Sequence, residues 1–244
     1  MRHFGLIGYP LTHSFSEKYF ARKFKQEGLE NCSYSLFPIR SISEIETILR
    51  HNPGLEGLNV TIPYKSQVLE YLDSRAGIPE GLNACNCIRI RNGHLSGFNT
   101  DFIAFRQSLE PLLGPVKRKA LVLGSGGAAA AVCFALGEMG IPFRIVSRNP
   151  GPGQNLAYDQ LTEALIREHN LIINTTPLGM YPDTAAFPLI PYSFITGDHV
   201  LYDLVYNPEK TVFLRHGEEK GAVIKNGMEM LERQAEESWR IWNS

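Results

Sequence analysis

Ala120-Leu121-Val122-Leu123-Gly124-Ser125-Gly126-Gly127-Ala128-Ala129 is the stretch that decides the fold. Four apolar residues in a row suit a short strand buried on both faces, and the glycines mark a turn directly after it. Ala120 to Gly137 carries no charged side chain, long enough to be weighed as a membrane span. Its glycine-rich centre would interrupt a spanning helix, so the segment reads instead as strand, tight turn and an Ala-rich helix over Ala128 to Met139. In that setting Gly124 to Ala129 fits G-x-G-x-x-A: the glycines turn the chain and let its backbone approach a pyrophosphate. The helix N-terminus then faces the ligand with unpaired amides and its dipole. Gly124, Ser125, Gly126, Gly127 and Ala128 are therefore candidate cofactor-binding residues. The plain alternative is a glycine-rich strand-to-helix joint with no ligand.

The second strand of such a unit selects the nicotinamide cofactor, because an acid at its end would accept hydrogen bonds from a free ribose 2′-OH. Phe143 to Val146 reads as that strand, and Ser147-Arg148-Asn149 follows without an acid. A guanidinium flanked by small polar groups suits a 2′-phosphate, so NADP is expected, with Ser147, Arg148 and Asn149 as contacts. The plain alternative is that Arg148 only solvates the loop running into Pro150-Gly151-Pro152-Gly153.

Leu171 to Asn174 and Val200 to Asp203 supply two more short apolar strands, and their alternation with helical stretches predicts parallel pairing. Upstream the rhythm is similar: strands over Arg2 to Ile7, Tyr34 to Ile39 and Gly57 to Ile62 alternate with helices over Ser16 to Gln26, Ile42 to Arg50 and Ser66 to Leu72. Asn92-Gly93 signals a type I′ turn between Asn86 to Arg91 and His94 to Gly97. The expected fold is α/β with two domains: residues 1–101, a connector helix over 102–114 ending at Gly114-Pro115, and a Rossmann-like doubly wound domain over 115–227. Met228, Leu231, Ala235, Trp239 and Trp242 fall at helical spacing in the tail, residues 228–244, which predicts one face packed on the body.

Composition narrows the partners. A chain of 244 residues with 43% hydrophobic content and net charge −1 has core-forming capacity and no field that would hold nucleic acid or an anionic membrane. Cys32, Cys85, Cys87 and Cys133 are scattered, so neither metal binding nor disulfide bonding is expected. Gly8-Tyr9-Pro10 interrupts any signal-like apolar run, which makes the cytoplasm the expected location and a small molecule the expected partner. The exposed strands of the first domain leave both a monomer and a homodimer open.

A nucleotide loop carries no group able to move the proton that accompanies a hydride. Lys65, in Leu58-Asn59-Val60-Thr61-Ile62-Pro63-Tyr64-Lys65, is the candidate if it is partly desolvated and placed near a carboxylate. Three other polar segments stand out: Thr12-His13-Ser14-Phe15-Ser16, Asn86, and Asn99-Thr100-Asp101. Singly each has a simple structural explanation, such as Ser14, Ser16 or Asp101 as a helix cap. Each also lies at a strand end or helix start, where an α/β sheet gathers ligand-binding groups.

These segments, with Asn174-Thr175-Thr176-Pro177-Leu178-Gly179-Met180, Asp203 to Pro208 and Asn226 to Ala235, resemble the shikimate dehydrogenase family nearly end to end. The resemblance implies a two-domain NADP enzyme that reduces 3-dehydroshikimate to shikimate in aromatic amino-acid biosynthesis, with Lys65 and Asp101 as the catalytic pair. It implies that Ser14 and Ser16 hold the substrate carboxylate, assisted by Tyr206, and that Thr61, Asn86, Asp101 and Gln234 grip the ring hydroxyls. Thr175, Leu204 and Gly227 would line the nicotinamide side, together with the rest of the Asn174 to Met180 segment. If Gln234 reaches the substrate, the last helix must fold back onto the first domain.

The family's usual Ala-x-Asn-Thr appears as Ala84-Cys85-Asn86-Cys87, and Phe102-Ile103-Ala104 follows Asp101 where glycines are common. Cys87 is expected to remove a hydroxyl near the ring site, and Phe102 and Ala104 to thicken the entry to the connector helix and restrict the hinge by which the domains close. The competing readings are a quinate dehydrogenase of the same family, a catalytically silent NADP-binding sensor, and a two-domain folate dehydrogenase. Intact Lys65, Asp101 and Gln234 speak against the sensor, and the serine pair suits a compact carboxylate better than a pteridine.

Overall fold

Arg2–Gly8 forms the first strand, β1, because Phe4 to Ile7 is an apolar run that can be buried on both faces. In the computed structural model, which describes residues 1–11, 14–151 and 155–244, it is followed by α1 (Phe15–Gln26) and β2 (Cys32–Pro38). A 3-10 turn over Ile42–Glu44 then leads into α2 (Ile45–His51), β3 (Leu55–Val60), a second 3-10 turn over Gln67–Tyr71, and β4 (Ser74–Gly77). The hairpin strands β5 (Cys87–Arg91) and β6 (His94–Phe98) close the series around Asn92 and Gly93, whose φ angles of 52° and 78° fit the expected I′ turn.

Three details differ from the sequence reading. The expected helix over Ser66 to Leu72 is only a 3-10 turn, and the Arg75 guanidinium donates to the Leu69 carbonyl at 2.7 Å, occupying an acceptor that a continuing helix would use. β3 stops at Val60 rather than Ile62, ahead of Pro63, which has no N–H for a ladder. β4 is an edge strand of polar and small residues, and only its parallel pairing with β6 creates it.

These strands make a mixed sheet in the order β2-β1-β3-β5-β6-β4. Ile7, Leu58, Val60 and Ile88 bury one face under Ile45, Tyr64 and Val68, while Phe4 and Cys87 lie on the other with Tyr19, Phe20 and Phe24 of α1. The last helix, α7 (Met228–Trp242), supplies Ala235, Ile241 and Trp242 to that second face. Residues Met1–Thr100 and Glu232–Ser244 form one compact unit, so the end of the chain is built into the first unit as the resemblance implied. Trp242 is fully buried, stacks on Phe4 at 4.8 Å and donates its indole N–H to the Ile88 carbonyl at 3.0 Å. Gly57 lies directly beneath it, where any Cβ would collide with the indole.

The second unit is Asp101–Leu231. It begins with α3 (Asp101–Leu113), whose Ala104, Phe105 and Leu109 are buried in this unit's own core. β7 (Ala120–Leu123), α4 (Gly127–Glu138), β8 (Phe143–Val146), β9 (Asn155–Leu156), α5 (Glu163–Glu168), β10 (Leu171–Asn174), β11 (Val200–Asp203), α6 (Val212–Glu219) and β12 (Val223–Lys225) follow. All pairings are parallel, in the order β12-β11-β10-β7-β8-β9. From β7 outward this is the 3-2-1-4-5-6 order of a doubly wound nucleotide-binding sheet. Ala120 and Val122 face one hydrophobic layer and Leu121 and Leu123 the other, which explains the unbroken apolar run. Among the described residues no helix is long and apolar enough to cross a membrane.

Candidate functional site

In the first unit, sheet direction brings the polar segments to one end. β1 and β3 run parallel, β5 is antiparallel to β3, and β6 is antiparallel to β5. The carboxyl ends of β1, β3 and β6 and the amino end of β5 therefore lie together, and with them the chain leaving Gly8, then Thr61, Asn86, and Asn99-Thr100. Lys65 sits just beyond, its backbone carbonyl accepting from Cys85 N at 2.7 Å. Gly8 lets Thr61 close against β1: a Cβ there would collide with the Thr61 methyl. Asn86 is buried and exchanges two bonds with Thr100, Nδ2 to Oγ1 at 2.9 Å and Oδ1 from the backbone N at 2.7 Å. This fixes the chain immediately before Asp101, the first residue of α3.

Ser14 stands at the N-cap of α1 in extended conformation, yet its side chain makes no capping bond. Its Oγ is buried with no hydrogen-bond partner among the described residues. A buried orphan hydroxyl costs about 1–3 kcal/mol, and the helix cap that the sequence also allowed does not offset it. Thr12 and His13, quoted in the same motif, lie outside the described residues, as do Pro152, Gly153 and Gln154.

Beneath these groups runs a network that sequence reading missed. Asn59 Oδ1 accepts from the Tyr34 hydroxyl at 2.8 Å, while its Nδ2 donates to Ser238 Oγ at 2.9 Å and to the Asn86 carbonyl at 3.3 Å. Ser238 Oγ donates its proton to the Gln234 carbonyl at 2.8 Å, and the Ser16 hydroxyl bonds Tyr34. Burial pushes the Tyr34 phenol well above its ordinary range, so it stays a neutral donor. Gln234 and Ser238, one turn apart on α7, are thus tied to Asn59 on β3. On the outer side, Lys23 of α1 bridges Glu236 at 2.8 Å and Glu27 at 2.6 Å, and Tyr19 donates to Glu236 as well.

Cys87 does not sit where the sequence reading placed it. It is fully buried in the aromatic cluster with Phe4, Phe20 and Trp242, where its side chain meets Ser238 and Trp242, and burial pushes its thiol far up. A strand alternates faces, so Asn86 and Cys87 point to opposite sides of the sheet. The substitution changes packing under α7 rather than the ring site.

In the second unit every expected cofactor residue lies at the carboxyl end of a parallel strand. Gly124 has φ +112°, and a Cβ would come within 2.7 Å of Thr175 Oγ1. Thr175 is itself anchored to the Leu123 carbonyl, through Oγ1 at 2.7 Å and N at 2.9 Å, across the β7/β10 boundary where the strand order reverses. Gly126 is the N-cap of α4 with open space around its Cα, and Ser125, Gly126 and Gly127 are exposed, as a pyrophosphate cradle requires. Ala128 follows in the first turn of α4. Ser147 is buried at the end of β8, and Arg148 and Asn149 are exposed beyond it. Leu204 and Tyr206 follow β11, and burial pushes the Tyr206 phenol upward. Gly227 fits so closely over Leu204 that a Cβ would strike the Leu204 carbonyl. These residues fit a dinucleotide.

With that geometry in place the likeness to known proteins is specific. The family model for the shikimate dehydrogenase substrate binding domain matches residues 6–88. A shikimate dehydrogenase (NADP(+)) from Methanococcus maripaludis is 37% identical, with 98% of this chain and 90% of the relative covered. The chain belongs to the shikimate dehydrogenase family.

Among solved shikimate dehydrogenases, that of Thermus thermophilus in complex with NADP(H) and shikimate superposes with a TM-score of 0.87 at 32% identity, covering 99% of this chain and 93% of the other. A quinate dehydrogenase from Corynebacterium glutamicum in complex with NAD has a TM-score of 0.88, with 26% identity over the same shares of the two chains.

Proposed function

We infer that the chain catalyses the NADP-dependent, reversible reduction of 3-dehydroshikimate to shikimate, a step of aromatic amino-acid biosynthesis. The observation that carries the reading is the return of α7: Gln234 is folded into the same compact unit as Ser14, Ser16, Thr61, Lys65 and Asn86. A silent nucleotide-binding relative has no need to bring that glutamine back.

In this reading the first unit is the substrate-binding domain and the second the NADP-binding domain. Ser14 and Ser16 bind the carboxylate with Tyr206 assisting, each charge-assisted bond contributing about 1.5–3 kcal/mol. Thr61, Asn86, Asp101 and Gln234 orient the ring hydroxyls. Bound NADP supplies or accepts the hydride. As charge builds on the substrate oxygen, the Lys65 ammonium stabilises and then protonates it, with Asp101 as the second member of the catalytic pair. Gly124 to Ala128 hold the pyrophosphate, Ser147, Arg148 and Asn149 the 2′-phosphate, and Thr175, Leu204 and Gly227 the nicotinamide side. The same reading puts the chain in the cytoplasm as a monomer or homodimer, for cell fractionation and light scattering to decide.

A spectrophotometric scan of shikimate and quinate, each with NADP and NAD, tests it. Shikimate with NADP should give the highest kcat/KM. The likeness to a quinate dehydrogenase makes quinate turnover the second reading, and activity in none of the four combinations would favour a sensor.

A further inference from the structure

Asn174 and Asp203 are directly opposite each other in the register of β10 and β11, and both are fully buried. Asn174 Nδ2 donates to Asp203 Oδ1 at 2.9 Å, and the same oxygen accepts from Val205 N at 3.0 Å. Asp203 Oδ2 accepts from Thr211 Oγ1 at 2.6 Å, and Thr211 in turn caps α6 by accepting from Leu214 N at 3.3 Å. On the other side, Asn174 Oδ1 holds Thr176 through its N at 3.0 Å and its Oγ1 at 2.6 Å. One amide and one carboxylate thus fix the two turns that leave adjacent strands.

The backbone at Leu204, between them, is held on both sides. Its N–H bonds the Asn174 carbonyl at 2.9 Å, Val205 N is held by Asp203, and the Val205 carbonyl accepts from Gly227 N at 3.2 Å. The carboxylate is an unusual choice for this task. Among the described residues no lysine, arginine or histidine bonds it, and neutral acceptors would satisfy the same three donors. A buried anion retained without a cation of the protein is accounted for when a cation arrives with the ligand. The oxidised nicotinamide ring carries a positive charge and the reduced ring does not.

We propose that Asn174 and Asp203 are positioning residues for the nicotinamide side, and that the Asp203 charge biases the site toward the oxidised, cationic cofactor. The proposal rests on the reading that Thr175, Leu204 and Gly227 line that side. Charge attraction through a partly desolvated site falls off slowly, so a neutral residue at 203 shifts the preference measurably.

The test is equilibrium binding of NADP+, NADPH and 2′-phospho-ADP-ribose, which lacks the nicotinamide, to wild type, Asp203→Asn and Asp203→Ser. The ratio of dissociation constants, NADP+ over NADPH, should rise by about threefold or more in both neutral variants, with 2′-phospho-ADP-ribose unchanged. A merely structural role would weaken all three ligands together and leave the ratio at its wild-type value, and that result overturns the proposal. Gly227→Ala, which drives a methyl onto the Leu204 carbonyl, should weaken both cofactors and spare 2′-phospho-ADP-ribose. If it spares or weakens all three, the placement of the nicotinamide falls and the proposal with it. If Gly227→Ala discriminates and the Asp203 variants do not, the proposal alone falls.

Discussion

Asp203 also makes stability depend on pH in an unusual direction. Burial pushes its carboxyl up from 3.8 to about 6, against three hydrogen-bond donors that pull it down. The folded state therefore holds this proton more tightly than the unfolded chain. The stability so gained is fully present below pH 3.8 and is lost as pH rises through about 6. Two pK units correspond to about 3 kcal/mol in total, of which about 1.5 kcal/mol is lost between pH 5 and pH 8. Asp203→Asn has no proton to lose, so its stability should gain on wild type by about that amount over the same interval. Urea unfolding of both proteins at a series of pH values measures the gap, and all other titrating groups cancel in the comparison. Tyr192, whose phenol is pushed up by burial and then by the Asp203 charge, remains neutral throughout. A gap that stays constant, or that narrows in favour of wild type as pH rises, refutes the reasoning.

Lys65→Ala should lower kcat at least about a hundredfold with a smaller change in the KM for shikimate, and unchanged turnover would remove Lys65 from the mechanism. Arg148→Ala should weaken NADP with little effect on NAD, whereas equal losses in cofactor titrations would show that the guanidinium does not read the 2′-phosphate. Trp242→Ala should cost about 3–5 kcal/mol in urea unfolding, because it empties a fully buried, stacked site and removes the indole bond to the Ile88 carbonyl. A loss below about 1 kcal/mol would mean that α7 is held by its polar contacts instead.

The legibility of each element depended on the range of the interactions that make it. β7, β8, β10 and β11 have the bounds read from the sequence, because short apolar runs between glycine-rich turns are local signals. β4, β9 and β12 were missed, since segments of only two to four residues become strands through a neighbour that supplies the ladder. The motif residues were legible at the candidate site, Asn174 among them as part of the segment expected on the nicotinamide side, whereas Tyr34, Ser238 and the bond between Asn174 and Asp203 were not. Their functions depend on contacts between residues far apart in sequence, such as Asn59 with Ser238. A single hint was available: a serine on the face of α7 that also carries Trp242, one turn from Gln234, is out of place on a purely apolar stripe. Cys87 shows the opposite failure. Its neighbour Asn86 suggested a site position, and strand alternation sends it to the core.

The same network separates two serines that the sequence treats as a pair. The Asn86 carbonyl can only accept, so Asn59 must turn Nδ2 toward it and Oδ1 toward Tyr34. Tyr34 must then donate to Asn59, which leaves only a lone pair for Ser16, and the Ser16 proton is engaged within the protein before any ligand arrives. Ser14 has no such commitment among the described residues. In the proposed reading, a carboxylate bound by the two serines gives Ser14 a new bond and merely exchanges one at Ser16. Ser14→Ala should therefore raise the KM for shikimate roughly tenfold or more, and Ser16→Ala less. Ser14→Ala should also raise the stability of the ligand-free protein, by up to about 1–3 kcal/mol, because it removes a buried hydroxyl that none of the described residues satisfies. Ser16→Ala should not, since it takes a donor away from Tyr34. Steady-state kinetics and urea unfolding on the two variants decide the matter: a larger KM effect from Ser16→Ala, or a Ser14→Ala protein less stable than wild type, would show that the polarity set by Asn86 does not reach the substrate carboxylate.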